Sequence, residues 1–88
     1  MSDLKKKFDA AAKSVRKLAK RPSNDQLLEL YALYKQATDG DLQGTRPGMF
    51  DMTGRAKYDA WAKQKGKSQD DAMQDYCALA TKLKKASA

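Results

Sequence analysis

The sequence has no histidine and no isoleucine, one valine and one cysteine. Without histidine there is no imidazole base, no Ser-His or Cys-His nucleophile pair and no histidine-bound metal. One cysteine, Cys77, cannot close an intrachain disulfide, and a free thiol suits a reducing cytoplasm. The near absence of β-branched aliphatic residues argues against sheet. No apolar run approaches the roughly 18–20 residues needed to cross a bilayer. The opening Met1-Ser2-Asp3-Leu4-Lys5-Lys6-Lys7 has no apolar stretch that could act as a secretory signal. A cytoplasmic chain without stable membrane insertion is expected.

What is present favours helix. The chain has 88 residues, with 14 Ala, 14 Lys and 9 Leu. That length is one small domain, expected over residues 3–88. With 41% hydrophobic and 33% charged residues it can build one modest core and is not disordered. The net charge of +7 is unevenly spread. Residues 1–22 carry eight basic and two acidic side chains, and residues 55–67 carry five basic and one acidic. Between them, residues 23–54 are acidic overall. Two basic blocks of this kind suit an anionic partner, whether nucleic acid, lipid surface or phosphorylated small molecule. They suit a solvated lysine face equally well.

Leu4, Phe8, Ala11, Ala12, Val15, Leu18 and Ala19 recur at helical spacing, which predicts an amphipathic helix over 3–19 that stops before Pro22. Ser23 and Gln26 have capping-box spacing. Leu27, Leu30, Tyr31, Tyr34, Ala37 and Thr38 then form the apolar stripe of a helix over 24–38, ended by Gly40. Residues 40–53 hold three glycines and Pro47 and read as a long loop. Leu42, Met49, Phe50 and Met52 are expected to fold it back onto the core. A third helix fits 54–65. Ser68 and Asp71 open a fourth over 69–85, with Ala72, Met73, Tyr76, Ala80 and Leu83 inward. The expected fold class is all-α, four helices in one domain.

Few residues could carry chemistry. Gly66-Lys67-Ser68 resembles the tail of a phosphate loop, but Trp61 stands where its first glycine is needed and no strand precedes it. Asp39 and Asp41 lack the calcium-loop pattern and read as turn residues. Cys77 has no base to activate it and reads as packing. No nucleophile–base pair is present, so an enzyme is not expected, and no metal site is found. The informative constellation is Leu28, Tyr31 and Lys35, which lie on one stripe of the second helix. An apolar side chain, a ring and a cation in line could hold a ligand with an apolar part, a base and a phosphate. By spacing alone, tyrosines in the core and a snorkelling Lys35 fit at least as well. Arg55, Lys57 and Tyr58 open the third helix, whose N-terminal amides also favour anions.

Beyond these patterns, Tyr31-Ala32-Leu33-Tyr34-Lys35-Gln36-Ala37-Thr38-Asp39-Gly40-Asp41 resembles the signature of the acyl-CoA-binding protein family. The resemblance continues through Arg46-Pro47-Gly48-Met49, Lys57-Tyr58-Asp59-Ala60-Trp61, Gly66, Ser68, Asp71-Ala72-Met73 and Tyr76. Phe8-Asp9-Ala10-Ala11 and Pro22 also fit, so it spans residues 3–86. It implies an up-down-down-up four-helix bundle that binds long-chain acyl-CoA thioesters one to one, as an intracellular carrier. It further implies a monomer that needs no cofactor and hands its ligand to acyl-CoA-using enzymes. Carried over, Tyr31 stacks on the adenine, with Tyr34 in the same ligand-binding set. Lys35 and Lys57 hold the 3′-phosphate, and Tyr76 contacts the CoA head or pantetheine. Ala12, Leu27 and Leu28 line the acyl and pantetheine path. Arg16 stands where the family usually has lysine, Thr53 where lysine is common, and Tyr58 where tryptophan is usual. The alternative reading is a small basic nucleic-acid-binding helical domain, supported by the charge and the interleaved Tyr and Trp, although no DNA or RNA motif is present.

Overall fold

A computed structural model describes residues 3–87. Met1, Ser2 and Ala88 lie outside them, and so do the start of the opening segment and the end of the expected domain at residue 88. Four helices make up the described chain: α1 (Asp3–Val15), α2 (Asn24–Asp39), α3 (Met52–Ala62) and α4 (Gln69–Ser87). They form the up-down-down-up bundle. α4 packs along both α1 and α2, and α3 packs on α2 alone. The Cα trace measures 37 × 30 × 15 Å. A helix with its side chains is about 10–12 Å across, so the bundle is a thin slab. α3, at its flank, leaves a cleft against α2.

The helix ends follow local chemistry. Ser23 accepts from Gln26 N at 3.1 Å while Gln26 Oε1 accepts from Ser23 N at 3.0 Å, so the expected capping box forms. Gly40 closes α2 with φ 82°, and its N–H donates to Gln36 O. Ser68 Oγ accepts from Asp71 N at 3.1 Å and opens α4. Several ends differ from expectation: α4 runs to Ser87, not 85, and α3 ends at Ala62, not 65, where the chain tightens into turns through Gln64 N–Trp61 O and Lys65 N–Ala62 O bonds. α1 stops at Val15, not 19, and tightens through Arg16 N–Lys13 O and Lys17 N–Ser14 O bonds. Leu18 leaves the helical register to pack against the core, and Pro22 disfavours helix for the residue before it. α3 starts two residues early because Asp51, not a residue nearer Gly54, supplies the N-cap, accepting from Gly54 N at 2.9 Å.

The core gathers Phe8, Leu30, Leu33, Ala37, Ala72, Tyr76 and Leu83. On α2 the buried residues are Leu30, Ala32, Leu33, Gln36 and Ala37. The expected stripe is thus rotated: Tyr31 is half-buried, and Tyr34 and Thr38 are exposed. α2 meets α4 on one side and α3 on another, so its buried arc is wider than a single stripe. The long loop is another correction. Leu42 is half-buried, but Met49, Phe50 and Met52 are 70%, 97% and 78% exposed and do not fold onto the core. Polar anchors hold the loop in their place. Arg46 grips Asp59 with two bonds of 3.0 and 2.8 Å, and Trp61 Nε1 donates to Gly40 O at 2.9 Å.

Gln36 is fully buried. Its Nε2 donates to Asp41 Oδ1 and to Lys67 O, both at 2.8 Å. Asp41 Oδ1 also accepts from Gly66 N at 2.9 Å. The end of α2 is thereby tied to the turn between α3 and α4. We predict that Gln36→Leu, which keeps the volume but removes both bonds and leaves Lys67 O buried, costs about 1–3 kcal/mol. The urea midpoint measures it, and an unchanged midpoint would refute the tie. These bonds also hold the Asp41 carboxyl below its ordinary pKa, the Gly66 amide first and the Gln36 amide second. A depressed carboxyl stabilises the fold above its unfolded pKa and loses that contribution as pH falls through its folded value. The melting temperature should therefore fall as pH drops below about 4, and Asp41→Asn should flatten part of that fall. Identical acid profiles for parent and variant would contradict the assignment.

Candidate functional site

The capping box and the Gly40 stop orient α2 so that Leu27, Leu28 and Tyr31 face α3. Met52, Thr53, Ala56 and Lys57 come from α3 to meet them, with Arg21 and Asn24 at the entrance. N-terminal half thus meets N-terminal half, and the two helices run parallel. α2, with 16 residues, is about 24 Å long. The chain must return that distance to begin α3, which is what residues 40–51 do. The groove between them encloses about 500 Å³. Leu27, Leu28, Met52 and Ala56 make its walls apolar.

The ammonium of Lys57 lies 5.2 Å from the Tyr31 ring centre, within cation–π range. Lys35 sits 5.0 Å from the Trp61 ring centre and pairs with Asp39 one turn along α2. The hydrogen bond to Asp39 raises the Lys35 pKa despite partial burial, and the Tyr31 and Tyr34 hydroxyls add smaller upward contributions. Lys35 is therefore held charged between the two tyrosines. Both lysines expected at a phosphate are cations against rings, one on each helix of the groove.

A second cleft, of about 570 Å³, shares Leu28 and Ala56 with the first. It is the larger, but Asp25, Glu29 and Asp59 line it against Lys63 alone. An anion is repelled there, so the Tyr31 side is the end suited to phosphate.

The remaining candidates lie at a separate corner. Tyr76 is buried and packs edge-on to Phe8 at 5.2 Å, and Phe8 in turn stacks on the Tyr34 ring at 5.4 Å. Burial pushes the Tyr76 hydroxyl up, Tyr34 adds to this, and the nearby Arg16 charge opposes it. Ala12 is half-buried against the core. The structure thus gathers Leu27, Leu28, Tyr31 and Lys57 in the groove and places Ala12, Arg16, Tyr34 and Tyr76 where α1, α2 and α4 meet. Lys35 stands between the groups, close enough to Tyr31 and Tyr34 to feel both. Sequence reasoning missed Arg21, Asn24, Met52 and Ala56 as groove residues. Met52 and Ala56 are four apart on α3 and share a face, a signal that becomes readable once that face is known to meet Leu28. Cys77 packs against the core and its thiol pKa is raised by burial, as expected of a packing residue.

An all-α bundle with an apolar groove and cations at one end defines a domain suited to a ligand with apolar and anionic parts. Sequence comparison specifies it further. The profile of the family described as Acyl CoA binding protein matches residues 5–80. An acyl-CoA-binding protein homolog of Drosophila melanogaster is 55% identical over 69 residues, covering 78% of this chain and 80% of the fly protein. The acyl-CoA-binding protein of Saccharomyces cerevisiae is 54% identical over 76 residues, covering 86% and 87%. The crystal structure of Oryza sativa acyl-CoA-binding protein 2 superposes with a TM-score of 0.90 at 42% identity, covering 97% of this chain and 94% of the rice chain. The chain belongs to the acyl-CoA-binding protein family.

Proposed function

We propose that this protein binds long-chain acyl-CoA thioesters one to one and carries them without transforming them. The observation that carries the reading is the α2–α3 groove, apolar along Leu27, Leu28, Met52 and Ala56 and opening on Tyr31 beneath Lys57. An acyl-CoA needs each of these. Its chain gains about 0.8 kcal/mol per buried CH₂, so ten buried carbons supply roughly 8 kcal/mol before the cost of association. Its adenine needs a ring face, and its phosphates, with about four negative charges, need convergent cations. Tyr31 supplies the ring, and Lys57 and Lys35 the charge. The corner formed by Ala12, Arg16, Tyr34 and Tyr76 would receive the rest of the CoA head. A carrier requires no acid–base pair. Its proposed setting is the cytoplasm, as a monomer that delivers its ligand to acyl-CoA-using enzymes.

Nucleic-acid binding is the weaker reading. Four of the seven rings are engaged internally, Phe8, Tyr34 and Tyr76 on one another and Trp61 with Gly40, and Tyr31 opens on an apolar groove that a nucleic-acid strand does not need.

Calorimetry with palmitoyl-CoA and with palmitate tests the reading. Tight one-to-one binding of the thioester and weak binding of the free acid are expected, and equal affinities would reject it. Tyr31→Ala and Lys35→Ala should each keep the fold by circular dichroism and lose about 1–3 kcal/mol of binding. Lys35→Ala and Lys57→Ala should lose much less against a dephospho-CoA thioester than against the full ligand, the coupling of a double-mutant cycle. Losses that are additive, with no coupling to the phosphate, would remove both lysines from its site.

A further inference from the structure

Four large hydrophobic residues are exposed among the described residues, and three of them fall within four positions: Met49, Phe50 and Met52. Scattered exposed apolar residues need no explanation, but a contiguous cluster marks a contact surface. The local geometry holds this cluster outward. Asp51 N donates to Gly48 O at 3.0 Å and closes a turn with Met49 and Phe50 at its two central positions. Asp51 then caps α3, with its carboxylate on Gly54 N, so Met52 begins a rigid helix. The loop behind is fixed to α3 by the Arg46–Asp59 fork. The three side chains form a tip that is braced from behind.

We infer that this tip, Met49, Phe50 and Met52, docks the protein on an anionic lipid surface. The inference rests on the acyl-CoA carrier reading, and three observations select a bilayer as the occupant. The first is charge. Lys57 on α3 and Arg21 across the groove line the same cleft as Met52, whereas the one carboxylate inside the tip, Asp51, is turned to its cap. A basic rim around an apolar point complements anionic headgroups. The second is size. Three side chains cannot furnish the roughly 1,200 Å² or more that a stable protein interface buries, but they can enter the headgroup–acyl boundary. Two unbranched methionines and a phenylalanine, with no polar atom to leave unsatisfied, suit that boundary. The third is continuity. Met52 belongs both to the tip and to the groove wall with Leu27, Leu28 and Tyr31. A bilayer held at the tip therefore meets the mouth of the groove, and an acyl chain could pass between them with little exposure to water.

The test uses the whole chain and vesicles of phosphatidylcholine with phosphatidylglycerol, free of acyl-CoA. The parent should cosediment with them, less so in high salt. The double variant Met49→Ser/Phe50→Ser should lose about tenfold or more of its partitioning and, in a second assay with the same vesicles loaded with palmitoyl-CoA, pick the ligand up more slowly. It should keep the parent's melting temperature and its affinity for octanoyl-CoA in solution. The Phe50→Trp variant should show a blue-shifted emission quenched by brominated lipid, whereas the parent, whose Trp61 is buried, should not be quenched. Docking is overturned if the parent does not cosediment, if the double variant partitions as the parent does, or if the introduced tryptophan is not quenched. It is equally overturned if the double variant loses octanoyl-CoA affinity, which would place the turn in the ligand site, or if sedimentation shows a dimer that the double variant abolishes. Failure of the parent to bind any acyl-CoA in solution would instead strike the carrier reading, and the vesicle measurements would still decide docking by themselves.

Discussion

The buried amide of Gln36 is the point through which three segments are held. It donates to Asp41 at the start of the long loop and to Lys67 O beyond α3, and Asp41 accepts from Gly66 as well. A primary amide is well suited to this because its two N–H groups reach two acceptors at once. The bonds matter most for the buried amide itself, since a donor left unpaired there costs more than a made bond contributes. Gln69 Nε2 adds a further bond to Thr38 O, from the first residue of α4. The end of α2, the return of the chain from α3 and the beginning of α4 are therefore one polar node. The hydrophobic core lies to one side of it and the groove to the other.

The groove depends on that node because α3 has no other helix to lean on. α3 packs only on α2, in a parallel sense that requires the loop over residues 40–51. A loop so long would ordinarily leave the spacing of the two helices soft. Here Trp61 fastens the far end of α3 to Gly40, and Arg46 fastens its middle through Asp59. The Arg46–Asp59 contact is exposed and contributes little to global stability. Its effect is positional: it keeps the loop against α3 and the Met49–Met52 tip turned outward. Rigid edges with an apolar middle are what a groove for a flexible chain requires, since ordering the protein on binding would subtract from affinity.

Most of the fold was legible because it is written in short-range chemistry. Ser23 with Gln26, Gly40 and Ser68 with Asp71 act within one turn, and each does what its spacing indicates. The end of α1 was not legible, because Leu18 is drawn out of helical register by a core formed with residues far along the chain. Gln36 was hidden for a related reason: no local rule says that a polar residue inside an amphipathic pattern is buried. Met49, Phe50 and Met52 misled by hydropathy, since apolar residues favour the interior only on average. At the site, the spacing of Leu28, Tyr31 and Lys35 marked a stripe that fitted a core as well as a ligand, and it was the family resemblance that singled out Tyr31 and Lys57. Met52 and Ala56 could not be read, because which face of α3 meets α2 is decided by the parallel return of the loop.

The two lysines of the proposed phosphate site start from different states, and this shapes how a ligand would engage them. Lys57 is exposed and balanced only by the Tyr31 ring, so it can leave that face at small cost. In the proposed site, an adenine stacked on Tyr31 would replace one ring contact with another and free the ammonium for phosphate. Lys35 is ion-paired with Asp39 on the same helix and lies over Trp61. A phosphate must compete with Asp39 or share the ammonium with it, and sharing leaves two anions close together. Part of the attraction at Lys35 is therefore spent within the free protein, where it keeps a long side chain in place and charged. In the proposed site the pair would thus combine one cation held in place by an ion pair with one held only by a ring contact, and the held cation would reduce the ordering cost of binding.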